Sequence, residues 1–148
     1  LDDIYSEFGY YREIQKSVTR EGASGSRDIQ HIMESLRTAP PAEIAGRQVS
    51  AVIDRLAGTT TDPATGEIRP VAGESGNVIA FTFTDAGHTR VTARPSGTEP
   101  KIKYYVSATS QDLEELEAES LDRTKANVDQ AAQDILDGVV VVAEATLT

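Results

Sequence analysis

The sequence predicts an α+β fold, a four- to five-stranded, mainly antiparallel sheet with two helices packed on one face. Three observations lead there. Between residues 78 and 108, three segments of strand character are joined by short connections, the pattern of neighbouring antiparallel strands. Before and after them, two segments repeat apolar residues at helical spacing. The chain has 148 residues, 39% of them hydrophobic, enough to bury one core with an arm attached.

In chain order, residues 1–20 read as an arm and residues 21–148 as the domain proper. Leu1, Ile4, Tyr5 and Phe8 fall at helical spacing and Gly9 can end that turn. From Tyr10 onward the arm is expected to be irregular or strand-like, anchored by Tyr10, Ile14 and Val18. The start at Leu1, without a basic-then-apolar leader, reads as a cut from a longer chain and not as a secretion signal. Ser24 or Ser26 can cap the first helix, whose apolar face is Ile29, Ile32, Met33 and Leu36. Pro40 and Pro41 end it. His31 lies off the stripe and is expected to be solvated. Residues 46–56 read as a strand with Val49, Ala51 and Ile53 alternating, and residues 58–76, dense in Gly, Pro, Thr and Asp, as a surface excursion.

Residues 78–84 put Ile79, Phe81 and Phe83 on one face, and Asp85-Ala86-Gly87 supplies a hairpin turn into residues 88–94. Residues 101–108 alternate most clearly: Ile102, Tyr104, Val106 and Ala108 share one face, and Lys101, Lys103, Tyr105 and Ser107 the other. A closing helix is expected from about Gln111 to Asp137, capped by Thr109 or Ser110. Its stripe is Leu113, Leu116, Leu121, Val128, Ala131, Ala132 and Ile135, with Gly138 as its stop and residues 139–142 as a further edge strand.

Composition narrows the chemistry. With no Cys, thiol chemistry and disulfides have no material, and two His leave little for an imidazole metal cluster. A formal net charge of −10 makes the chain a poor binder of nucleic acid. No window approaches the roughly 18 consecutive apolar residues that a membrane-spanning helix needs.

The charge is unevenly spread. Residues 86–108 hold Arg90, Arg94, Lys101 and Lys103 against Glu99, a net of +3, leaving −13 on the remainder. Such an island attracts an anion locally without attracting polyanions in general. Inside it lies the loop Arg94-Pro95-Ser96-Gly97-Thr98-Glu99-Pro100. Arg94 offers a planar fork suited to phosphate, Ser96 and Thr98 offer hydroxyls, and Gly97 is expected to let backbone N–H groups converge as an anion nest. Lys103, on the adjacent strand, can reach the same anion as a point charge. On residue types alone, a plain turn beside a solvated basic face explains the segment at least as well.

The string TARPSGTEPKIKYYVSA resembles the C-terminal domain of the α-D-phosphohexomutase superfamily, which includes phosphoglucomutases and phosphomannomutases. The opening LDDIYSEFGYYRE is similar to the linker entering that domain in the branch of phosphoglucomutase- and phosphopentomutase-like enzymes, and the long closing helix agrees. The resemblance implies a TATA-box-binding-protein-like sheet. It also implies a place as the last of four domains in a cytoplasmic, magnesium-dependent isomerase. Such enzymes move a phosphoryl group within a sugar phosphate through a bisphosphorylated intermediate. The last domain holds the phosphate that is not being transferred. Carried over by residue, Arg94, Ser96, Gly97 and Thr98 match its phosphate-binding loop, and Lys103 matches a position where some members have Arg.

The family's phosphoserine loop, magnesium loop and sugar-recognition loop belong to earlier domains and find no match here. The resemblance therefore assigns no catalytic residue, metal ligand or cofactor to this fragment, which is expected to be inactive alone. Its expected partners are a hexose 1- or 6-phosphate and the other domains of the parent chain, not nucleic acid or a membrane. An alternative of another class is a stand-alone regulatory module that senses phosphorylated metabolites.

Overall fold

A computed structural model describes residues 11–84, 89–109 and 121–147. Strand β1 (Tyr11–Thr19) leads into helix α1 (Gly25–Thr38), then β2 (Glu43–Ile44), β3 (Arg47–Asp54), β4 (Thr59–Thr61) and β5 (Ile68–Pro70). Strands β6 (Ile79–Phe83), β7 (Arg90–Pro95) and β8 (Lys101–Thr109) follow, and helix α2 (Leu121–Ala145) closes the order. The strands form an antiparallel sheet ordered β1-β8-β7-β6-β3-β4-β5, with β2 paired to β3.

The α+β class stands, with eight strands where four or five were expected. The arm supplies one of the extra strands. β1 pairs along the whole of β8, from Tyr11↔Thr109 to Thr19↔Lys101. The others, β2, β4 and β5, are two or three residues long, too short to show alternation in sequence. Two of them build a small hairpin inside the expected surface excursion, extending the sheet beyond β3.

One face of the sheet makes the core. Ile79, Phe81, Phe83, Val91, Ala93 and the even-numbered residues of β8 from Ile102 to Ala108 are buried there, as the alternation predicts. The α1 stripe Ile29, Ile32, Met33 and Leu36 packs against them with Val128, Ala132, Ile135 and Leu136 of α2. Fully burying side chains of this size stabilises the fold by about 1.5–3 kcal/mol each. The odd-numbered residues of β8 from Lys101 to Thr109 are only half-buried, so the helices cover one face and leave the other open.

Two expectations need correction. In β3 the pairing with β6 slips between Val49 and Ala51, so Ser50 is an extra residue. Of the expected set Val49, Ala51 and Ile53, only Val49 therefore joins the helix-side core, with Val52, and Ile53 is buried outside that cluster. The second correction is at Gly138, which does not stop α2. The helix continues to Ala145, and residues 139–142 are helical, not an edge strand. The cause is packing. Val139 and Ala143 extend the buried stripe by further turns, which outweighs the strand preference of a β-branched run. Gly138 instead permits close approach: a Cβ there would lie 3.0 Å from the Cβ and N of Ala45, in the β2–β3 turn.

Residues 1–10, the Asp85–Gly87 turn, His88 and the expected start of the last helix, with Ser110, Leu113 and Leu116, lie outside the described residues, as does the Leu121 side chain. Thr109 ends β8. His31 is exposed, as expected, and its Nε2 bonds to the Thr146 carbonyl at 2.8 Å, tying α1 to the end of α2.

Candidate functional site

The sheet brings the two candidate cations together before the loop begins. Arg94 of β7 and Lys103 of β8 are direct cross-strand partners. Their neighbours Ala93, Ile102 and Tyr104 face the core, so both cations lie on the open face. Opposed like charges on a sheet are unfavourable, and a bound anion reverses the sign of that contribution. Among the described residues neither cation has an ion-pair partner. Lys101 differs. Its ammonium lies 3.3 Å from the Glu99 carboxylate, so that charge is met within the loop itself.

From Pro95 the chain turns through residues 96–100. The Ser96 N–H donates to the Lys101 carbonyl at 2.9 Å, closing the loop at its neck. The N–H groups of Thr98 and Glu99 both point toward Ser96 Oγ, each at a long 3.4 Å. Two loop amides thus converge on the loop's own hydroxyl. Gly97 is not in the left-handed region, so its value is not an unusual turn. A side chain there would meet nothing within 4 Å, and glycine leaves this exposed rim open to a ligand.

Two hollows meet at this rim. The first, of about 690 Å³, is lined by Arg94, Pro95 and Gly97 on one side and by Arg55 and residues 73–78 on the other. The second, of about 310 Å³, is lined by Ser96, Gly97 and Thr98 together with Ser26 and Gln30 of α1. Pro95, Gly97 and Asn77 border both. The structure therefore brings Arg94 and Lys103 side by side, and places Ser96 and Thr98 across the Gly97 rim from Arg94.

The loop is held from behind. The Arg20 N–H donates to the Pro100 carbonyl at 2.8 Å. The Arg20 side chain pairs with Asp28 of α1 and Glu144 of α2, linking the loop's end to both helices. Arg20 Nε and the Tyr104 hydroxyl are buried without a hydrogen-bond partner among the described residues. Burial pushes the Tyr104 phenol up to about 12, against the smaller opposing effect of the Arg20 charge. Asn77 is positioned by Arg37 of α1, whose Nη2 donates to Asn77 Oδ1 at 2.8 Å while its Nε donates to Asp54 at 3.0 Å.

Residues 32–135 match the family described as phosphoglucomutase/phosphomannomutase, C-terminal domain. The chain belongs to that family. The phosphoglucomutase of Staphylococcus saprophyticus is 33% identical over 116 residues, 78% of this chain and 20% of that protein. The probable phosphomannomutase of Haemophilus influenzae is 35% identical over 135 residues, 91% of this chain and 23% of that protein. This phosphoglucomutase/phosphomannomutase domain thus spans about a fifth of the length of the relatives it matches. Among solved structures, a Staphylococcus aureus protein of unknown function superposes with a TM-score of 0.50 at 9% identity, covering 95% of this chain and 98% of that one, a likeness of fold alone.

Asn77, Gln30, Ser26 and Arg55, which border the two hollows of this phosphoglucomutase/phosphomannomutase domain, are not readable in the sequence as neighbours of the loop. They reach the loop through strand pairing and helix packing, and nothing local in the sequence marks them. Among the described residues, no three His, Asp or Glu side chains are placed to hold a metal ion. The magnesium that the resemblance implies for the parent enzyme has no ligand set among them.

Proposed function

We propose that this domain holds the non-transferred phosphate of a hexose phosphate while the rest of a phosphoglucomutase or phosphomannomutase moves the other phosphoryl group. The observation that carries the reading is the Arg94–Lys103 pair, two cations opposed on one sheet face and without ion-pair partners among the described residues. Arg94 supplies a bidentate fork and Lys103 a point charge. Ser96, Gly97 and Thr98 add hydroxyl and amide donors at the rim. Charge and convergent donors grip a phosphate without reading which end of the sugar carries it. A mutase that turns its intermediate around needs that indifference. Binding energy from the held phosphate orients the distant reacting end.

In this reading the domain supplies no nucleophile, acid or base, the isolated fragment turns nothing over, and its partners are the sugar phosphate and the parent's other domains. The cytoplasmic setting and the magnesium requirement belong to the parent enzyme. The test is kinetic. In the full-length enzyme, Arg94→Ala is expected to raise KM for the 1-phosphate and the 6-phosphate alike, by about tenfold or more for a charged hydrogen-bonding group. An unchanged KM for both would remove the reading.

A further inference from the structure

The far wall of the larger hollow carries a third cation, Arg55, that the loop motif does not include. Its place follows from register. Asp54 pairs with Ile79, and Ile79 pairs with Ala93. One step further along, the Arg55 N–H donates to the Val78 carbonyl at 3.0 Å, which places Val78 between Arg55 and Arg94 in the same row of the sheet. Two strand spacings separate their backbones by about 10 Å. Two long guanidinium side chains can close that span around one small anion. Asp54 bonds to α1 on the helix side, so alternation directs Arg55 to the open face, where Arg94 also lies.

Arg55 is also held in place. Its Nη1 donates to the Ala72 carbonyl at 2.6 Å, the only hydrogen bond of its side chain among the described residues. A Cβ at position 73 would lie 2.6 Å from Nη1, so glycine there leaves room for the guanidinium. Ordering a long side chain in advance lowers the entropy lost on binding. Glu74 is the one carboxylate lining this hollow, and it makes no ion pair with Arg55 among the described residues. The lining charge, two arginines against one glutamate, stays positive.

We propose that Arg55 is a further binding residue for the anionic group of the substrate, gripping it from the side opposite Arg94. The proposal rests on the reading that the Arg94 loop takes a phosphate. Arg55→Ala, Arg55→Lys and Arg94→Ala variants of the 148-residue chain would be titrated with inorganic phosphate and with glucose 6-phosphate, following backbone amide shifts at low ionic strength. Arg55→Ala is expected to weaken binding of both probes by about tenfold, and Arg55→Lys to recover part of it. Amide spectra of the unliganded variants report whether each is folded, and Arg55→Lys serves as the test variant should Arg55→Ala not fold. Affinity within about twofold of the parent chain in Arg55→Ala, with binding lost in Arg94→Ala, overturns the role of Arg55 and leaves the phosphate reading intact. Absence of saturable binding in the unmutated chain overturns both.

Discussion

Lys103 stands directly across the β7–β8 ladder from Arg94, while Lys101, two residues earlier on the same face, is met by Glu99 at 3.3 Å. One cation of this face is thus neutralised locally and two are left opposed. A fold selected for stability alone gains nothing from that opposition. In the proposed reading, the pair is where the domain gives up stability for binding.

Lys103→Gln is therefore expected to stabilise the phosphate-free domain by about 0.5 kcal/mol at low salt, the usual size of a cross-strand charge effect. Added sodium chloride should shrink the difference by screening the repulsion in the parent. Urea melts of both proteins, without phosphate in the buffer, check this. The same substitution should weaken phosphate binding.

Tyr104 gives a pH signature. Its phenol ionises at about 12 in the fold, against the ordinary 10. A raised value means that the folded state keeps the proton longer than the unfolded chain. Its contribution is fully present below pH 10 and is lost as pH rises through 12, by about 3 kcal/mol in all. Tyr104→Phe removes that slope and also removes a buried hydroxyl without a partner among the described residues. The variant is expected to be at least as stable as the parent at pH 7. Denaturant midpoints between pH 8 and 12 for both proteins decide it.

Asp54 is the hub beneath the hollows. Only 8% exposed, it accepts from Arg37 Nε and from the N–H groups of Leu56 and Ala57 at 3.0–3.2 Å. Asp54→Ala strands the Arg37 guanidinium and two amides and should cost about 3 kcal/mol. Thermal melts would show the loss. Amide shifts at Asn77, which the same guanidinium holds, would show that the change reaches the site.

Gly138→Val tests the packing of α2. The new side chain enters a space where even a Cβ is 3.0 Å from Ala45, whose turn has little freedom at a φ of 54°. A loss of about 2 kcal/mol is expected from overpacking. A neutral result in urea melts would mean that the β2–β3 turn yields easily.

The sequence made some of this plain and hid the rest, for physical reasons. β8 and its loop were legible because strict alternation fixes which side chains share a face. That alone put Lys103 on the face away from Ile102, whereas its place beside Arg94 follows from the β7–β8 pairing. β1 was only half legible. As an edge strand it exposes most of its length, with Ile14 and Val18 partly buried against the core. Residues 139–142 misled because four valines favour a strand locally, whereas Val139 and Ala143 complete a helical stripe that only tertiary packing reveals. Arg55 and Asn77 were hidden because each reaches the site through partners distant in sequence.

The most direct measurement follows the backbone amides of the 148-residue chain during a titration with hexose 6-phosphate. Saturable shifts centred on residues 94–103, abolished by Arg94→Ala, are predicted. Shifts centred elsewhere on the sheet, or shifts at the loop that survive removal of the Arg94 side chain, would contradict the account.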